Sequence, residues 1–291
     1  MLCWDAEANS LQTLAAVGFG EDTAARLELE IPVGSTPVLT RMLEEPGPVE
    51  LVQGELDPFL DAVLTRFGST RATVVPLRDD SQLLGVVVAS RGGDAEVPVD
   101  ALLGVADQAA VAIARRRLLA AAMHAATHDR LTGLPGRELL YDRLERALAD
   151  HQRTGRRVAV CFLDLDGFKA INDHKGHAAG DRTLVAVAQR IAGAVRASDT
   201  VARIAGDEFI VLLRDLSAPE DVHRSAAALI DALGDPLILD GVGEVDIGAS
   251  IGVAVAPEDG DTPDALRQAA DQAMYRAKRA GGRDYVLVER A

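Results

Sequence analysis

A chain of 291 residues has room for about two domains of ordinary size, so one boundary is expected along it. Its formal charge of −15 excludes broad electrostatic capture of DNA, RNA or anionic lipid, which needs clustered Lys and Arg. A phosphate-bearing ligand on such a chain requires local cations or a metal ion.

The first signals in chain order are negative ones. Met1-Leu2-Cys3-Trp4-Asp5 lacks the basic start and apolar core of a signal peptide, and no apolar run reaches the roughly 18–20 residues that span a bilayer. The cytoplasm is therefore the expected location. Cys3 and Cys161 lie far apart, which gives neither a disulfide framework nor a zinc cluster, and Cys161 reads as a small buried hydrophobe.

From Ser10 to Leu77 short apolar runs alternate with turn signals. Thr73-Val74-Val75-Pro76-Leu77 and Leu83-Leu84-Gly85-Val86-Val87-Val88 predict two strands around the acidic turn Arg78-Asp79-Asp80-Ser81. Leu102, Val105, Ala106, Ala109, Ala110 and Ile113 then recur at helical period, and the pattern continues through Leu118, Leu119 and Met123, which predicts one helix from about Val99 to Ala126. Arg115-Arg116-Arg117 reads as a solvated helix face.

Beyond that helix, Val158 to Leu163 is a buried-strand run ending in Asp164-Leu165-Asp166. Acids at a strand's mouth suit a hard cation such as Mg²⁺, although a polar loop after a core strand reads the same way. Leu184, Val187, Ala188, Ile191 and Val195 mark a core-facing helix. A hairpin over 201–213 follows, with the small residues Ala205-Gly206 at its turn and Asp207-Glu208 lifted to the sheet edge. A helix near Pro219 to Leu233, strands near 236–240 and 245–255, and a helix capped by Thr262-Pro263-Asp264 and stopped at Gly281-Gly282 complete the pattern. The fold class expected is α+β, with helices packed on one face of the second sheet.

Together these segments resemble the GGDEF family of diguanylate cyclases over residues 129–291. The resemblance is carried by Asp129-Arg130-Leu131-Thr132-Gly133-Leu134-Pro135, by Phe162 to Asp173, and by His177 with Gly180-Asp181. It continues in Ala205-Gly206-Asp207-Glu208-Phe209, Ser250-Ile251-Gly252-Val253-Ala254 and Asp271 to Lys278. It implies a nucleotide-cyclase-like domain with a ferredoxin-like core that joins two GTP molecules into cyclic di-GMP, releasing pyrophosphate.

The same resemblance makes Asp164, Asp207 and Glu208 the catalytic acids. Asp164, Asp207, Glu208 and the Leu165 carbonyl would hold Mg²⁺ (or Mn²⁺), and Asp166 ranks below them. Asn172 and Asp181 match the guanine-reading pair, and their hydrogen-bonding capacity agrees: an ionised carboxylate accepts guanine's ring N–H and amine, which favours GTP over ATP. Phe168, Lys169 and His177 complete the substrate site, and Lys278 supplies a phosphate-binding cation. The second phosphate cation stays open between Arg279 and Arg283. Two positions depart from the family pattern: Ala205 replaces the first signature glycine, at a cost of about 1 kcal/mol if the turn needs positive φ there, and Gly136 replaces an Asn.

Arg196-Ala197-Ser198-Asp199 stands where many family members carry an RxxD site for product inhibition, so cyclic di-GMP is expected both as product and as feedback inhibitor. The mechanism also implies a homodimer, because each copy holds one GTP.

Residues 1–116 resemble the later part of a GAF domain through the Val-Pro-Leu and Leu-Leu-Gly-Val strands and Ala106-Asp107-Gln108-Ala109-Ala110. This implies a GAF-like regulatory domain, an antiparallel sheet with helices and an unidentified small ligand; its opening helix and strand are not found, so the domain either starts upstream of Met1 or is shortened. Residues 117–128 would be a helical linker, and no phosphodiesterase-like segment is expected after Val288. The rival readings are a catalytically silent receptor for cyclic di-GMP or GTP, and a GAF-driven dimerisation scaffold.

Overall fold

The computed structural model describes residues 1–5, 10–15, 30–32, 37–38, 47–66, 68–79, 82–90 and 98–289. The chain divides into two compact units, Met1–Ala121 and Ala122–Ala291.

The first unit is built on a six-stranded antiparallel sheet, ordered β3-β2-β1-β6-β5-β4. Its strands are β1 (Leu2–Asp5), β2 (Ser10–Thr13), β3 (Glu30–Pro32), β4 (Val49–Val52), β5 (Arg71–Asp79) and β6 (Gln82–Ser90), with helix α1 (Pro58–Arg66) between β4 and β5. The strand pair expected around an acidic turn is β5–β6; Asp80 and Ser81 lie outside the described residues. Helix α2 (Val99–Thr127) follows, and the division of the chain falls within it. Its Ala106 and Ala110 are buried with Leu77 and Leu84 of the sheet, and the Arg117 guanidinium donates to the Trp4 carbonyl.

The second unit opens with α3 (Arg137–Thr154) and β7 (Arg157–Asp166), then α4 (Phe168–Lys175), α5 (His177–Ala194) and the hairpin β8 (Thr200–Ala205) and β9 (Glu208–Leu216). It continues through α6 (Pro219–Ala232), the small hairpin β10 (Leu237–Leu239) and β11 (Gly243–Val245), β12 (Gly248–Ala256), α7 (Pro263–Arg279) and β13 (Tyr285–Leu287). The sheet runs β13-β12-β7-β9-β8, antiparallel except for the β12–β13 pair.

One expectation is corrected here: helices cover both faces of this sheet, not one. Leu184, Val187 and Ile191 of α5 and Val222 and Leu229 of α6 pack on one side, against Cys161, Leu163 and Val211. Leu140 and Leu144 of α3 and Leu266, Ala270 and Met274 of α7 pack on the other, against Val160, Phe162 and Leu212. The strand sequences explain it, because every residue of β12 is buried and β7 is apolar at successive positions, the mark of a strand covered twice. Cys161 sits inside with its thiol pushed up to about 12 by burial and by the Asp199 charge, an inert core residue.

Candidate active site

Strand pairing delivers the acids to one end of the sheet. Asp164 on β7 lies in register with Glu208 on β9 and with Ser250 on β12. Ala205 pairs with Glu208, which leaves a two-residue turn of Gly206 and Asp207. The Asp207 carbonyl accepts the Leu165 N–H at 3.3 Å, tying the turn to the mouth of β7.

Positive φ in this turn falls on Gly206, at +50°, and Ala205 ends β8 as strand. The departure from the family pattern therefore carries no backbone penalty, since the residue replacing the first glycine is not the one in the left-handed region. Likewise Gly136 caps α3 without a side-chain hydrogen bond; its N–H donates to the Thr127 carbonyl at 2.7 Å, and a Cβ there would come within 3.2 Å of that oxygen.

The turn is held from behind by a clamp built from Arg203 and Asp129. Arg203 donates from Nε and Nη2 to the Gly206 carbonyl at 2.9 and 2.8 Å, and from Nη1 to Asp129 at 2.9 Å. Asp129 also accepts the Thr132 N–H and hydroxyl. Burial pushes the Asp129 carboxyl up, but the Thr132 hydrogen bonds and the Arg203 charge outweigh it and hold it below the ordinary range. The opening Asp129–Pro135 loop is thus a brace for the signature turn.

The acids crowd one another. Burial, with the charges of Asp207 and Asp166, pushes the Asp164 carboxyl above its ordinary range even against Lys278, whose ammonium donates to Asp164 Oδ1 at 2.5 Å. Glu208 is raised first by burial and then by Asp164, Asp207 and Asp271, with Arg137 opposing. Burial lowers the Lys278 ammonium, but Asp164, Asp166 and Asp207 together hold it above its usual value. Among the described residues no three His, Cys, Asp or Glu side chains converge as a ready cation cage. The donor chemistry nevertheless fits a hard divalent ion: mutually repelling carboxylates at adjacent strand ends, with Lys278 supplying the positive charge in this arrangement.

Asp166 has a different role from its neighbour. Its Oδ1 accepts the Ser250 hydroxyl at 2.7 Å and its Oδ2 the Arg283 N–H at 2.8 Å, so it pins β12 and the chain after α7. Arg283 pairs through its side chain with Asp246 at 2.7 Å, whereas Arg279 has no ion-pair partner among the described residues.

The residues expected to bind phosphate and base follow at the next turn. Gly167, at φ +81°, reverses the chain into α4, and the first N–H groups of that helix, on Phe168 and Lys169, have no partner within it. The Phe168 ring is buried in the core, fixing this backbone. Asn172 lies against Gly180 of α5, where a Cβ would stand 2.0 Å from Asn172 Oδ1. Gly180 thus makes the space the Asn172 amide occupies, and Asp181 follows it. Among the described residues the side chains of Asn172, Lys169, His177, Asp181, Asp207 and Glu208 have no hydrogen-bond partner, so all six present open polar groups.

Arg196 and Asp199 are less simply disposed. The Asp199 carboxylate accepts two backbone N–H groups, those of Arg196 and Arg214, each at 3.1 Å. It staples the loop to β9.

The sequence pattern of the family described as diguanylate cyclase, GGDEF domain, matches residues 126–284, more than half of the chain. Diguanylate cyclase TpbB of Pseudomonas aeruginosa is 49% identical over 156 residues, covering 54% of this chain and 36% of TpbB. The bifunctional diguanylate cyclase/cyclic di-GMP phosphodiesterase MucR of the same organism is 48% identical over 164 residues, 56% of this chain and 24% of MucR. The chain therefore spans between a quarter and about a third of the length of these relatives. The solved GGDEF domain of TpbB is similar at 47% identity and a TM-score of 0.54, covering 56% of this chain and 94% of that one. The coiled coil and GGDEF domain of DgcB from Caulobacter crescentus, solved with c-di-GMP, matches at 27% identity and a TM-score of 0.57, covering 66% of this chain and all of that one. With the acids, the signature turn and the opening loop assembled at one sheet edge, the chain belongs to the GGDEF diguanylate cyclase family.

Proposed function

We propose that residues 129–291 condense two GTP molecules into cyclic di-GMP, and that the register of Asp164 with Glu208, together with the open Asn172 amide and Asp181 carboxylate, carries this reading. In each half-reaction the 3′-hydroxyl oxygen of one GTP bonds to the α-phosphorus of the other, the bond from that phosphorus to the bridging oxygen breaks, and pyrophosphate leaves. Repetition in the other direction closes the ring. Glu208 takes the hydroxyl proton, and the burial and neighbouring carboxylates that raise its carboxyl above the ordinary range make it a stronger base. Asn172 and Asp181 orient guanine, while the N–H groups opening α4, with Lys169, His177 and Lys278, hold the phosphates. Asp164, Asp207, Glu208 and the Leu165 carbonyl are the residues that would hold Mg²⁺ or Mn²⁺, which when bound neutralises charge on the triphosphate.

Two copies must face one another, and α2 supports this by exposing Val111 and Leu118, one heptad apart, with Met123 beyond them. We assign the first unit a GAF-like regulatory role with an unidentified small ligand, consistent with its antiparallel sheet. Arg196 and Asp199 form the product-feedback site. No helix among the described residues is long and apolar enough to cross a membrane, which accords with a cytoplasmic enzyme.

The test is incubation of the full chain with GTP and Mg²⁺ followed by nucleotide chromatography. Cyclic di-GMP appears with wild-type protein and falls by at least about 100-fold in Glu208→Gln. Binding of cyclic di-GMP or GTP without turnover would establish the silent receptor instead.

A further inference from the structure

The C-terminal end of α2 carries a second group of metal-binding side chains, separate from the catalytic acids. His124 and His128 both belong to the second unit, and their spacing puts them on one helix face. His128 directly follows the helix yet continues its hydrogen bonding, its N–H donating to the His124 carbonyl at 2.9 Å. The two imidazole rings are tilted by only 18° from parallel, with centroids 3.8 Å apart. His124 is exposed and His128 half-buried.

Hydrogen bonding decides which nitrogen of His128 is available. Its Nδ1 faces the Thr127 hydroxyl oxygen at 3.0 Å and the His124 carbonyl at 3.2 Å. A carbonyl only accepts, and the Thr127 hydroxyl gives its one hydrogen to the Met123 carbonyl at 2.8 Å, so Nδ1 carries a hydrogen and donates. In the neutral ring Nε2 is then left with the free lone pair. An imidazole whose other nitrogen donates to a backbone carbonyl is the usual form of a metal-bound histidine. The His124 ring has no hydrogen bond among the described residues and can turn to join it. Two nitrogens on one tetrahedral zinc ion stand about 3.3 Å apart for bonds of about 2.0–2.1 Å, close to the ring separation here.

Within one chain the pair stands alone, since no third His, Cys, Asp or Glu joins it among the described residues. Asp129, the next residue, is committed to Thr132 and Arg203. Structural zinc takes four ligands, so two more must come from elsewhere. Val111 and Leu118 are exposed one heptad apart, and counting on from Leu118 puts Ala125 and His128 on the same seam with His124 beside it. A second copy meeting the first along that seam brings an identical pair.

We propose that His124 and His128 of two chains together bind one divalent ion of the zinc class through four imidazoles. Imidazole selects such ions over the Mg²⁺ that suits carboxylates, so this site is chemically separate from the acids at the sheet edge. The ion clips the ends of two α2 helices immediately before the Asp129–Pro135 loop that braces the signature turn, and so couples metal supply to how two copies meet. The assignment rests on the two-chain reading of the reaction.

Zinc binding by equilibrium dialysis and dimer fraction by sedimentation test it, both on full chain stripped with a chelator and held in excess Mg²⁺ so that the carboxylates are occupied. The expected result is one Zn²⁺ per two chains, a dimer fraction that rises with zinc, and, with Co²⁺ as the probe, the visible absorption of a tetrahedral nitrogen site. His124→Ala should weaken zinc binding by at least about tenfold and remove its effect on the dimer, at unchanged melting temperature and unchanged turnover with Mg²⁺ alone. His124→Cys, which keeps a zinc ligand, should recover binding. Zinc held equally by wild type and His124→Ala overturns the proposal, as does one ion per chain with no change in dimer fraction. The two-chain reading is judged apart from this, by the turnover of His124→Ala in Mg²⁺ alone: a rate per chain that ignores dilution sinks that reading whatever zinc does.

Discussion

Gly180 gives the sharpest prediction among single residues. A Cβ at that position would overlap Asn172 Oδ1 at 2.0 Å, and the atom in the way is the free end of a side chain and not backbone. Gly180→Ala should therefore fold normally yet displace the Asn172 amide, raising the KM for GTP about tenfold with a smaller change in kcat, as steady-state kinetics will show. Glu208 gives a second. Its carboxyl binds a proton more tightly in the folded chain than in the unfolded one, so its charge costs stability above the raised pKa and the cost disappears as pH falls through it. Solvent screens much of this penalty at a partly exposed carboxylate, so Glu208→Gln should melt slightly higher at neutral pH, with the gain shrinking on acidification. A melting temperature that drops at neutral pH would contradict the crowding of acids described above. The candidate acids and the Asn172–Asp181 pair were legible because each sits inside a short contiguous motif. The pairing of Asp166 with Ser250 and of Arg203 with Asp129 was not, because the partners lie 84 and 74 positions apart and each motif, read alone, does not say which other it meets.

Elements show the same division between local and distant information. The ends of α7 were legible from Thr262, which accepts the Ala265 N–H at 3.3 Å, and from the glycines after Arg279. The covering of the sheet on both faces was misjudged because an apolar run states that a strand is buried without stating what covers it. Gly252 in the middle of β12 records that cover: a Cβ would stand 1.9 Å from the Ala270 carbonyl oxygen and 2.1 Å from the Met274 nitrogen, both backbone atoms of α7. Since a helix backbone cannot step aside cheaply, Gly252→Ala should destabilise the second unit by about 3 kcal/mol or more, read as a lower urea midpoint with loss of soluble protein. An unchanged midpoint would mean that α7 does not press on β12 this closely.

Across the whole molecule, the proposed chemistry needs two chains, and its rate should depend on their concentration. Turnover per chain should fall on dilution in parallel with the dimer fraction measured by sedimentation. Replacing residues 118–126 with Gly and Ser should lower both and uncouple the enzyme from any signal received by the first unit. Regulation that survives this replacement would rule out a role for the helix.

The margins of the five-stranded sheet also constrain how copies meet. At one margin the outward N–H of Arg203 on β8 is taken by the Pro135 carbonyl at 3.0 Å, and at the other β13 is only three residues long. One outward donor of β8 is thereby capped and β13 is short, which blunts accretion by strand addition, the usual route from a bare sheet to aggregates. For the proposed two-chain reaction, such margins would favour encounters between copies that come apart again.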